Sequence, residues 1–152
     1  MGIQSLPMLL SLLAAAIPLS EPQPMAEERF QQWLLESDLQ QLERGCTDPL
    51  IGATGGRQQE IRDRLLVLHP APESFELVMA NATALLTCGS PDSAARVLNR
   101  ISPAMGEERR RWLRLRWQAA AAGLDHREAA LALRRLVNGD LIALASLELG
   151  DG

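Results

Sequence analysis

The residues best equipped for chemistry form one run, Arg109-Arg110-Arg111-Trp112-Leu113-Arg114-Leu115-Arg116-Trp117. Arginine grips carboxylates and phosphates through paired N–H donors, and tryptophan supplies a large apolar anchor. On a helix turning about 100° per residue, Arg110, Arg111, Arg114 and Gln118 share one stripe. Trp112, Leu113, Ala119 and Ala120 make the apolar face. Three uses fit this pattern. It is the solvated face of an amphipathic helix, a groove for an acidic peptide segment, or a surface where RNA phosphates pair with Arg and bases stack on Trp.

Other candidates are weaker. Cys46 and Cys88 have no Cys-x-x-Cys spacing and no His pair beside them, which argues against a metal site. They can form a disulfide only in an oxidising compartment; otherwise they are two semi-buried thiols that never meet, the arrangement expected here. His126 sits beside Asp125 at a helix start and His69 precedes a proline, so capping and linker roles account for both. The Gly-rich stretch at 52–57 lacks the Lys-Ser/Thr pair with which a P-loop reaches phosphate and magnesium, and reads as a loop. No enzymatic activity and no cofactor are expected.

The elements that must position these residues are helical. Apolar residues make up 47% of the 152-residue chain, mostly Ala and Leu, with no Tyr and two Phe. That balance favours helix over strand, and the length suits one domain. The net charge of −4 gives no general attraction to nucleic acid or anionic lipid. Charge is unevenly spread: residues 26–49 are acidic, whereas residues 104–137 carry eight Arg against four acids.

Residues 6–19 are apolar and too short to span a membrane, which takes about 20 residues. With Ala14-Ala15-Ala16 among them as a cleavage pattern they fit a secretory signal, although no basic residue precedes them. Residues 1–24 are therefore set apart as a signal or apolar segment with a Pro-rich linker. The remainder, 25–152, is one helical domain. Cleavage near Ala16 would place it in a periplasm or lumen; without cleavage it is cytoplasmic.

Helical patterns cover 25–44, as one helix kinked near Ser37-Asp38 or two short ones with Gln40 or Gln41 at capping-box spacing, and 57–68, stopped before His69-Pro70-Ala71-Pro72. From 73 onward the chain repeats itself. Helices at 73–88 and 107–122 are each followed by a turn and a second helix, so the clearest repeats are 73–103 and 107–138. Gly89 matches Gly123, Ala94 matches Ala129, Leu98 matches Leu133 and Ile101 matches Leu136. A period of 34–35 built from helix, turn and helix marks a solenoid. The tail 140–149, apolar on nearly every side, is expected to be buried on the preceding hairpin or against a second copy of the chain.

The stretches ALLTCG-SPDSAARVLNRI and AAAAGLDHREAALALRRL resemble the turn and second helix of tetratricopeptide repeats. Gly89 and Gly123 fall at the turn glycine, Ala94 and Ala129 at the small residue of the second helix, and His69-Pro70 at the link between repeats. The family's usual tyrosines are absent, and Arg116 stands where it normally has a small residue. The resemblance implies an all-α, right-handed α-solenoid of six to eight helices that binds a segment of another protein on its concave face. Met79, Thr83, Arg110, Leu113, Arg114 and Trp117 are the expected contacts. The hairpin length is also similar to that of pentatricopeptide repeats, which read one RNA base per repeat; two repeats and an acidic chain make nucleic acid the lesser expectation.

Overall fold

The computed structural model describes residues 22–52, 55–68 and 74–147. The signal-like segment, the His69-Pro70 link and the end of the apolar tail lie outside them, wholly or in large part. All regular structure among the described residues is helical: α1 (Glu27–Glu36), α2 (Leu39–Thr47), α3 (Gly55–Val67), α4 (Phe75–Thr87), α5 (Pro91–Leu98), α6 (Glu107–Ala122), α7 (His126–Leu136) and α8 (Leu141–Ala145). The expected break falls at Ser37-Asp38. Asp38 accepts from Gln41 N–H at 2.8 Å and Gln41 Oε1 accepts from Asp38 N–H, completing a capping box.

Two boundaries differ: α3 opens at Gly55, inside the stretch read as a loop, and α2 runs past its expected end because of packing. Gly45, expected to end the second helix, lies inside α2 and is buried. A Cβ there would sit 2.3 Å from the Trp33 ring, so α2 continues because glycine lets the indole of α1 lie against its backbone.

Helices α4 and α5 form one hairpin, α6 and α7 the next, and α6 packs on both members of the first. The turns share a hydrogen-bond scheme. Gly89 and Ser90 N–H donate to Leu86 and Leu85 C=O; Leu124 and Asp125 N–H donate to Ala121 and Ala120 C=O. Such turns need one left-handed residue. In the first it is Gly89, at φ +67°; in the second it is Leu124, at φ +59°, while Gly123 has an ordinary φ of −82°. Gly89 therefore corresponds to Leu124 and not to Gly123.

The core is one cluster running from Phe30, Leu34 and Leu42 through Ile61, Leu65, Val78 and Leu85 to Val97, Leu98, Trp112 and Leu113. It thins toward the C-terminal end, where α7 buries only Ala132. Of the two alternatives for the tail, burial on the preceding hairpin is not met within the described residues. Helix α8 has five residues, and Ile142 is 84% exposed. Its contact is with α7, which is too small a surface to bury the sides of so short a helix.

The expectation that the cysteines stay apart is overturned. Cys46 at the end of α2 and Cys88 at the C-cap of α4 form a disulfide with a Cα–Cα distance of 5.3 Å. Packing of α2 on α4 brings together residues 42 positions apart, a proximity no local pattern encodes. Helix α3 clasps the pair from outside. Arg62 Nε donates to Cys88 C=O at 2.6 Å, Gln58 Nε2 donates to Cys46 C=O at 3.4 Å, and Arg62 also donates to Gln58.

Candidate binding groove

Helix α6 begins after Gly106, whose φ of +136° excludes most side chains, and keeps its register with Trp112, Leu113, Leu115 and Ala119 buried. The Trp112 indole N–H donates to Leu98 C=O at 2.9 Å, which fixes α6 against the end of α5. With that face inward, the arginines take different surroundings.

Most of them are spent within the fold. Arg109 Nη1 donates to Pro103 C=O at 3.1 Å. Arg110 pairs with Glu107, whose carboxyl is held below its ordinary value chiefly by that hydrogen bond. Arg111 grips Glu76 with two bonds, at 2.7 and 3.0 Å, and lies over the Phe75 ring at 5.1 Å. That pairing holds the Glu76 carboxyl low and the Arg111 guanidinium high, each through the shared hydrogen bonds first. Arg116 stacks on Trp112 at 4.8 Å and bonds to Asn99 and Glu128. A large side chain at this position is accommodated because it lies over the indole and closes the second hairpin.

The hairpin then brings the first turn of α6 beside the last turn of α7. Two adjoining recesses open there, of about 460 and 120 Å³, sharing Met105, Arg109, Arg135 and Asn138. Leu131 and Arg134 complete the larger recess; Arg110, Leu113 and Leu136 help line the smaller. Four arginines line this groove and no acidic side chain does. Arg134 and Arg135 make no ion pair or hydrogen bond through their side chains among the described residues. Met105, 78% exposed, offers an apolar contact at the centre.

The six residues expected at a binding face are not gathered into this groove. Arg110 and Leu113 line it, but Leu113 is 2% exposed and mainly serves the core. Met79 packs against the core, and Thr83 Oγ1 donates to Met79 C=O at 2.9 Å. Arg114 is exposed, Trp117 is half-buried, and neither lines either recess. Sequence reasoning missed Met105, Leu131, Arg134, Arg135 and Asn138. The available signal was the pair Arg134-Arg135 in the last turn of a helix whose hairpin partner opens with Arg109-Arg110.

Other chemistry finds little support. His126 is exposed at the first residue of α7, and His69 lies outside the described residues. Among the described residues no group of His, Cys, Asp or Glu is placed to hold a metal, and no helix is long and apolar enough to cross a membrane. Asn81-Ala82-Thr83 spells a glycosylation acceptor, yet Asn81 is fully buried within α4 and closed to modification. No protein-family model, curated protein or solved structure matches the chain.

Proposed function

We propose that the protein is a non-catalytic interaction module, built of tetratricopeptide-like hairpins, that holds an acidic segment of another protein. The supporting observation is the groove between the first turn of α6 and the last turn of α7, where four arginines and an exposed methionine meet with no carboxylate in the lining. Arg134 and Arg135 keep their donors for a ligand, and Met105 accepts an apolar residue beside the acids. The Cys46–Cys88 disulfide supports work in an oxidising compartment, with residues 1–16 as an export signal.

The test is selection of peptides from a random library on the full chain, followed by fluorescence anisotropy of the winners. Acidic peptides with a central apolar residue are expected. Arg134→Glu/Arg135→Glu should weaken them by about a hundredfold or more, since each loses a charge-assisted bond and gains repulsion. Arg114→Glu should change little. If Arg114→Glu or Trp117→Ala abolishes binding and the Arg134/Arg135 variant does not, the site lies on the outer stripe of α6. Binding of single-stranded RNA that falls steeply with salt, without peptide binding, would instead favour nucleic acid.

A further inference from the structure

A second groove, sharing no residue with the first, lies at the other end of the molecule. It measures about 700 Å³ and runs between α1, the segment leading into it and the turn after α2. That volume falls in the range of roughly 300–1,000 Å³ typical of small-molecule sites.

Its floor is apolar. Trp33 is half-buried, stacked on Phe30 with centroids 5.8 Å apart and wedged on Gly45, with Met25 and Ile51 beside it. The rim is polar and carries both donors and acceptors. Arg29 makes no side-chain hydrogen bond or ion pair among the described residues. Gln41 spends its Oε1 on the capping box and keeps its amide donors. Gln32 Nε2 donates to Glu36 Oε1, leaving the Gln32 oxygen and the second Glu36 oxygen as acceptors. Beneath them lies Ser37, which is 5% exposed and has a hydroxyl with no partner.

The lining excludes several ligand classes. The lining holds one cation, Arg29, and two carboxylates, Glu36 and Asp48, so a strong anion meets net repulsion. A purely apolar ligand would strand the amides of the rim. A peptide cannot add as a strand, because the backbone here is already paired: Met25 N–H donates to Leu50 C=O, Ser37 N–H to Trp33 C=O, and Ile51 N–H to Asp48 C=O. An apolar floor under a rim of both donors and acceptors suits a neutral molecule with one apolar face and many hydroxyls, each able to donate and accept. We propose that this groove binds a neutral saccharide, with its C–H face on Trp33 and its hydroxyls held by Arg29, Gln32, Glu36 and Gln41.

The test titrates the full chain with maltotriose, cellotriose and chitotriose, following the three indole N–H resonances in proton–nitrogen correlation spectra. Trp33→Phe identifies its own resonance. The expected result is a saturable shift of Trp33 alone with at least one of these sugars. Arg29→Ala/Gln32→Ala, which alters only exposed side chains, should weaken binding about tenfold with helical content and melting retained. The shift should persist in Arg134→Glu/Arg135→Glu, which separates this site from the first groove. The proposal is overturned if none of the three sugars moves the Trp33 resonance, if Arg29→Ala/Gln32→Ala binds as wild type, or if only a peptide moves it.

Discussion

Removing the Cys46–Cys88 disulfide should cost the fold about 4 kcal/mol. The bond joins residues 42 positions apart, and the chain-entropy relation for closing a loop of that size gives that figure near room temperature. Two perturbations separate the contributions. Reduction of the wild type keeps both sulfur atoms within the core and frees the loop, so it reports chiefly the unfolded-chain effect. Cys46→Ala/Cys88→Ala also removes two atoms from sites 4% and 0% exposed, adding the cost of small gaps in the core. Urea unfolding followed by far-ultraviolet circular dichroism is the assay. Both forms should unfold at lower urea, the alanine form lowest, and with a steeper slope because the freed chain exposes more surface. Thermal melting should fall by about 8–16 °C. Reduced protein within about 1 kcal/mol of the oxidised form would refute the reasoning, because it would mean that the loop stays closed without the bond.

Three further outcomes are expected. Gly45→Ala drives a methyl into the Trp33 ring, with a nearest approach of 2.3 Å, and should cost about 1–3 kcal/mol by thermal melting; an unchanged melt would show that the indole moves freely. Leu124→Gly should stabilise by about 1 kcal/mol, because Leu124 is 74% exposed and holds φ at +59°; a lowered urea midpoint would contradict this. Hydrogen bonds from Arg111 to Glu76, from Arg110 to Glu107, and from Gln31 and then Arg57 to Glu27 hold these carboxyls below the ordinary 4.5. Their stabilisation is present above pH 4.5 and is lost as pH falls through the lowered values, so Glu76→Gln should flatten the acid limb of a stability–pH curve.

Much of the local architecture was legible in the sequence. The Ser37-Asp38 break follows from an Asp with Gln three positions on, and α6 follows from a long run of helix formers opened by Glu107 and Glu108. Asp125 caps α7 at the spacing its sequence advertises. The candidate groove was legible only in part. The Arg run announced a cationic helix but not which guanidiniums would be consumed, since Glu76 comes from α4 and Asn99 from the cap of α5.

Composition and periodicity settle the choice of helix, its caps and its turns, because those depend on residues within about four positions of one another. Only the tertiary arrangement decided that Cys46 meets Cys88, that Trp33 lies on Gly45, and that the first turn of α6 and the last turn of α7 share one recess. Each of these requires two helices to approach at a set distance and rotation. That geometry comes from the summed fit of a whole core, and no short stretch of the chain contains it.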